Sequence, residues 1–143
     1  MATRNGSATW RGDLQGGEGR ITVGNGAHEG PYSFKSRFED GEGTNPEELI
    51  AAAEAGCFTM ALSLMLGNEG HTPEELNTDA RAELRNVDGA PTITKMIVKT
   101  RGRVPGIDQE TFARIAEEAK KTCVISRALG GVDEITLEAT LES

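Results

Sequence analysis

From Leu49 to Leu66 the chain carries one charged residue, Glu54, and sets apolar or small side chains on every side of a helical projection, among them Ile50, Ala51, Phe58, Met60, Leu62, Leu64 and Met65. A surface helix shows a single apolar stripe, whereas one that is apolar all round is expected to be buried all round. Its start is well marked in Thr44-Asn45-Pro46-Glu47-Glu48, with Asn45 as N-cap, Pro46 at the first helical position and Glu48 placed to close a capping box. Gly67 is the expected stop. The length approaches the lower limit for a membrane span, but Glu54, Gly56, Thr59, Ser63 and the many alanines favour a central core helix. A chain of 143 residues buries a limited fraction of its surface. A second subunit is therefore expected to cover part of this helix, in a homodimer.

Around that helix the pattern alternates. Ser7 to Arg11, Gly19 to Val23 and Tyr32 to Phe38 read as short strands separated by glycine turns, the last with Tyr32, Phe34, Ser36 and Phe38 on one face. Beyond Gly70, Leu76 to Val87 and Thr92 to Val104 read as a hairpin around Asp88-Gly89-Ala90-Pro91. Asp108 caps an amphipathic helix whose inner face is Phe112, Ile115, Ala116 and Ala119. A short helical turn from Ser126 to Leu129 and a final strand through Ile135, Leu137, Ala139 and Leu141 complete a single α+β domain over residues 1–143.

Composition narrows the function. A net charge of -8 leaves no basic excess for a nucleic-acid backbone. The start of the chain lacks an apolar signal core, so a cytoplasmic location is expected, where thiols stay reduced. His28 and His71 are isolated, neither a nucleotide-binding loop nor a dinucleotide fingerprint is present, and neither metal nor cofactor is expected.

Two cysteines remain, Cys57 and Cys123. Taken alone, Cys57 in an apolar helix reads as a buried thiol, because free cysteine is among the most buried residue types. Cys123 sits where one helix ends and a short one begins, a place where backbone N–H groups and the dipole favour a thiolate. Their spacing of 66 residues defines no motif. Trp10, Met60 and Met65 read as core, Phe38 and Phe58 as core or as an apolar pocket, and Glu54 as a buried carboxylate in need of a partner.

The string Thr44-Asn45-Pro46-Glu47-Glu48-Leu49-Ile50-Ala51-Ala52-Ala53-Glu54-Ala55-Gly56-Cys57-Phe58, with Ala61-Leu62-Ser63-Leu64-Met65-Leu66-Gly67, resembles the signature of the OsmC/Ohr family, osmotically inducible protein C and organic hydroperoxide resistance proteins, and is closer to the OsmC branch. Phe34-Lys35-Ser36-Arg37-Phe38-Glu39, Val104-Pro105-Gly106-Ile107-Asp108 and Cys123-Val124-Ile125-Ser126 follow in the family's order, so the resemblance spans nearly the whole chain. One departure is visible: Val124 stands where relatives commonly place proline, which implies a changed local turn.

The resemblance implies an OsmC-like fold, with antiparallel sheets around a long buried helix in an intertwined homodimer. It also implies a two-cysteine peroxidase that reduces organic hydroperoxides in oxidative or osmotic stress defence. Cys57 is then the peroxidatic thiol, Cys123 the resolving one, and Arg37 and Glu47 the polar pair that tunes the first. The chemistry is coherent with that assignment. A free thiol has a pKa of about 8.5, and a nearby guanidinium stabilises its thiolate and polarises the peroxide bond. Glu47 would hold Arg37 in its planar fork, with Arg20 in reserve should Arg37 point away. An external dithiol, in this family typically a lipoyl group on a carrier protein, would reset the disulfide.

Glu47 and Cys57 lie ten residues apart on one expected helix, a rise of roughly 15 Å, so Glu47 is expected to serve the Cys57 of a partner subunit. The competing readings are a dimeric binding protein that holds a lipid-like ligand in its apolar core, and a redox switch whose disulfide alters a partner's binding.

Overall fold

The computed structural model describes residues 1–143. Its elements are β1 (Gly6–Arg11), β2 (Glu18–Val23), β3 (His28–Tyr32), α1 (Phe34–Phe38), α2 (Pro46–Asn68), β4 (Glu75–Val87), β5 (Ala90–Arg103), α3 (Gln109–Thr122), α4 (Val124–Ala128) and β6 (Glu134–Glu142). The chain divides into two compact units, Met1–Leu49 and Ile50–Ser143, with α2 beginning in the first and continuing into the second.

In the first unit β1, β2 and β3 form an antiparallel meander in that order. Trp10 packs edge-on against Tyr32, centroids 5.3 Å apart, and its indole N–H donates to the Gly12 carbonyl at 3.0 Å. The expected strand from Tyr32 to Phe38 is corrected: β3 ends at Tyr32 and the next residues form helix α1. Ser33 caps it in a reciprocal box, its hydroxyl accepting from the Ser36 N–H while the Ser36 hydroxyl accepts from the Ser33 N–H. A period of two is ambiguous here, because Phe34 and Phe38 are also four apart and meet on one helical face at 5.1 Å between centroids.

Asn45 caps α2 as its sequence suggests, Oδ1 accepting from the Glu48 N–H at 2.8 Å while Nδ2 donates to the Ser36 carbonyl at 2.9 Å. The helix continues through Gly67 to Asn68 instead of ending at Leu66. Gly70, at φ 87°, supplies the left-handed stop, and the His71 N–H returns to the Leu66 carbonyl.

In the second unit the β4/β5 hairpin turns through Asp88 (φ 51°) and Gly89 (φ 85°), the left-handed pair that a type I′ turn requires. β6 joins the other edge of β5 in parallel, so this sheet is mixed and the expectation of antiparallel sheets holds only in part. The cause is the connection: α3 and α4 lie between β5 and β6 and carry the chain back as a crossover. Asp108 caps α3 by accepting from the Thr111 N–H at 2.8 Å, and Phe112, Ile115, Ala116 and Ala119 are buried as their spacing indicates. The short helix α4 begins at Val124, two residues earlier than its sequence suggests, because Cys123 closes α3 and opens α4.

Every side chain of the buried apolar core lies in this second unit, with Phe58, Leu62 and Leu66 of α2 packed among Val98, Val104, Phe112, Ile115, Ala116, Ala119 and Cys123. Within the single chain, burial of α2 all round is not found. The fully buried residues Glu54, Phe58, Leu62 and Leu66 form one i, i+4 stripe, and Met60, expected in the core, is 77% exposed. By length and composition α2 also meets the criterion for a membrane span. Polar links nonetheless tie it to the sheet: the Thr59 hydroxyl donates to Thr78 at 2.7 Å, and Thr78 pairs with Thr100 at 3.0 Å.

Candidate active site

Arg37 closes the last turn of α1 and Glu47 occupies the first turn of α2. The guanidinium grips the carboxylate as a fork, Nη2 donating to Oε1 at 2.7 Å and Nε donating to Oε1 at 3.1 Å and Oε2 at 3.2 Å. The hydrogen bond to Glu47 is the main reason that the Arg37 pKa rises further above its ordinary value. Arg37 also lies over the Phe38 ring at 5.3 Å, on a side chain that is itself exposed. The reserve arginine, Arg20, pairs instead with Glu29 of the adjacent strand at 2.9 Å, in a surface bridge exposed on both sides.

The two cysteines, 66 positions apart in sequence, come together. Both are free thiols, Cys57 half-buried on α2 and Cys123 buried at the junction of α3 and α4. Cys57 packs against the buried cluster that includes Cys123, and its thiol acts on that of Cys123. The expectation that a helix terminus favours a Cys123 thiolate is corrected: its pKa is raised, first by burial and then by the neighbouring Cys57 thiol, which together outweigh the effect of Ser126. Val124 opens α4, and Cys123 has φ −57° and ψ 128°, the extended conformation that a residue preceding proline also favours.

Glu54 finds the partner its sequence position calls for. It is fully buried, and the Ser126 hydroxyl donates to its Oε1. Ser126 is the residue that sequence reasoning missed. Its signal is the i, i+3 spacing from Cys123, matched by the i, i+3 spacing of Glu54 and Cys57 on α2. Phe58 belongs to the core, and a cavity of about 540 Å³ on the first unit, lined by Arg20, Glu29 and Tyr32 among others, includes neither cysteine.

The family model described as OsmC-like protein matches residues 39–138. The chain belongs to the OsmC/Ohr family. Within it the OsmC branch fits, since the chain is 47% identical over 141 residues to Peroxiredoxin OsmC of Escherichia coli (strain K12), spanning 98% of this chain and 97% of that protein. The Organic hydroperoxide resistance protein of Xanthomonas axonopodis pv. citri (strain 306) is 32% identical over 98 residues, 68% of this chain and 67% of that one. Among solved structures, an organic hydroperoxide resistance protein from Elizabethkingia anophelis, with crystallant-derived thiocyanate bound, superposes with a TM-score of 0.75 over 99% of this chain and 98% of that one. At 24% identity this likeness establishes the OsmC/Ohr fold.

Proposed function

We propose that this OsmC-branch chain is a two-cysteine peroxidase that reduces organic hydroperoxides to alcohols. The observation that carries the reading is the convergence of the two free thiols, Cys57 half-buried on α2 and packed against the cluster that fully buries Cys123. That arrangement supports Cys57 as the attacking sulfur and Cys123 as a thiol held ready. The Cys57 thiolate attacks a peroxide oxygen, the O–O bond breaks, and the alkoxide takes a proton and leaves as alcohol. Cys57 is left as sulfenic acid. Cys123 then displaces the sulfenic oxygen as water, closing a disulfide that an external dithiol reduces. A lipoylated carrier protein is the proposed donor and the cytoplasm the proposed location, without nucleic acid or membrane as partner.

The exposed apolar residues Met60 and Leu64 on α2 support a homodimer. In it the Arg37–Glu47 fork of one subunit would steady the negative charge at Cys57 of the other. The names of the OsmC and organic hydroperoxide resistance relatives support the substrate class.

The test is peroxide consumption in the presence of a small dithiol. Turnover of cumene hydroperoxide that is lost in Cys57→Ser supports the enzyme. Stoichiometric uptake of an apolar ligand without thiol consumption would favour a binding protein and overturn the proposal.

A further inference from the structure

The fully buried carboxylate of Glu54 has no role in the peroxide attack and disulfide closure proposed for the two cysteines. Its Oε1 accepts from the Ser126 hydroxyl, while its Oε2 has no hydrogen-bond partner. A buried polar atom left unpaired costs free energy that an apolar side chain at the same place would not. Elsewhere on α2, from Leu49 to Leu66, no other charged residue occurs. Ser126 lies in the first turn of α4, whose N-cap is Cys123, so the hydroxyl that serves the carboxylate is also the one placed beside the thiol.

We infer that Glu54 is the terminal proton acceptor of a relay, Cys123 to Ser126 to Glu54, that activates Cys123 for the resolving step. A serine hydroxyl has one hydrogen to donate and lone pairs to accept, so it cannot donate to sulfur and carboxylate at once. Two arrangements of the same atoms follow. In the resting one, Ser126 donates to Glu54 and accepts from the Cys123 thiol. In the active one, the thiol proton has passed to the Ser126 oxygen as the Ser126 proton passes to Glu54, leaving a Cys123 thiolate that accepts from the hydroxyl. That thiolate attacks the Cys57 sulfenic sulfur. The S–S bond forms, the S–O bond breaks, and the leaving hydroxide takes one proton from solvent while Glu54 later returns its own. The sum is one thiol and one sulfenic acid converted to one disulfide and one water.

The relay answers a conflict set by burial. Cys123 is buried, which favours its protonated form, yet only the thiolate resolves quickly. A base reached through Ser126 removes the proton without exposing the sulfur to water. The ionisable groups acting on Cys123 are Cys57 and Glu54, and of these only Glu54 is free to accept a proton once Cys57 is oxidised.

This inference rests on the peroxidase reading, and one experiment separates the two. Reduced protein is mixed with cumene hydroperoxide and quenched at intervals, and Cys57 sulfenic acid and the Cys57–Cys123 disulfide are counted by mass spectrometry. In E54Q, which keeps an oxygen for Ser126 but accepts no proton, closure relative to sulfenic acid formation is expected to slow by about 10²-fold, the lower range for a general base. The closure rate of E54Q should also rise about tenfold per pH unit between pH 6 and 8, tracking the thiol itself, while the parent's profile is flatter. Ser126→Ala should match E54Q and Ser126→Thr, which restores a hydroxyl, should recover most of the rate. These two variants decide the matter if E54Q does not fold. Closure in E54Q and Ser126→Ala at the parent's ratio and pH profile would overturn the relay alone. Failure of the parent to form any disulfide would overturn the relay and the peroxidase reading together.

Discussion

The Arg37 guanidinium is bound side-on to the Glu47 carboxylate, two of its nitrogens on two carboxylate oxygens between 2.7 and 3.2 Å, so the turn of α1 is clamped to the first turn of α2. Nine residues of chain, including Gly41 and Gly43, lie between them, and the fork fixes a guanidinium that would otherwise sample many rotamers. Glu47 at a helix N-terminus is favourable for the macrodipole whatever the function. The bidentate geometry is the added fact.

Under the proposed function, that geometry bears on the reaction more than on stability. Arg37→Lys keeps the charge and loses the fork, so the rate of peroxide-dependent Cys57 oxidation is expected to fall about 10²-fold, the scale of one misplaced charge-stabilising donor. The urea midpoint should barely move, because partly exposed ion pairs contribute only about 0–1 kcal/mol. Stopped-flow oxidation and urea titration of the same variant check both halves.

In the core of the second unit, two substitutions should fail for opposite reasons. Leu62 is fully buried, and Leu62→Ala is expected to cost about 2–5 kcal/mol through lost contacts and the cavity left behind. Gly102→Ala would set a methyl 2.8 Å from both Leu76 and Phe112, and overpacking of this kind costs about 1–3 kcal/mol. Denaturant midpoints at constant m-value provide the comparison.

Most of the fold was legible because local chemistry agreed with it: the Asp88-Gly89 turn, the Asp108 cap and the Asn45-Pro46 helix start each have one favoured structure. Two misreadings arose where local signals were degenerate. Phe34 and Phe38 fit a strand face and a helix face equally, and Ser33 and Ser36 decided for the helix. The parallel pairing of β6 depends on where α3 and α4 deliver the chain, which no local pattern encodes. For the candidate site, the motif singled out Cys57, Arg37 and Glu47 as expectations, but burial of Cys123 beside Glu54 and Ser126 is a tertiary fact. Helix-terminus reasoning alone therefore gave its proton affinity the wrong sign.

The raised Cys123 pKa fixes a pH dependence of stability. Below the unfolded thiol value of about 8.5 the group is protonated in both states and its full contribution is present. As pH rises above that value the unfolded chain ionises first, so stability is lost progressively until the folded thiol also titrates. Urea midpoints of the reduced protein from pH 7 to 10 should fall more steeply for the parent than for Cys123→Ser, and parallel curves would contradict the assignment.

Met60 is 77% exposed and Leu64 65% exposed on a helix that is otherwise apolar. If a second copy covers this face, Met60→Lys should place an unpaired charge in the interface and shift the protein to monomer in sedimentation equilibrium. A parent that sediments as a monomer at all concentrations would remove the dimer from the account.

The most direct measurement is the intact mass and non-reducing peptide map of the reduced protein after one equivalent of an alkyl hydroperoxide. The expected result is loss of two hydrogens and a single cross-linked peptide pair joining Cys57 to Cys123, with Cys123→Ser instead gaining one oxygen on Cys57. Both thiols recovered unmodified after prolonged exposure to excess peroxide would contradict the central claim.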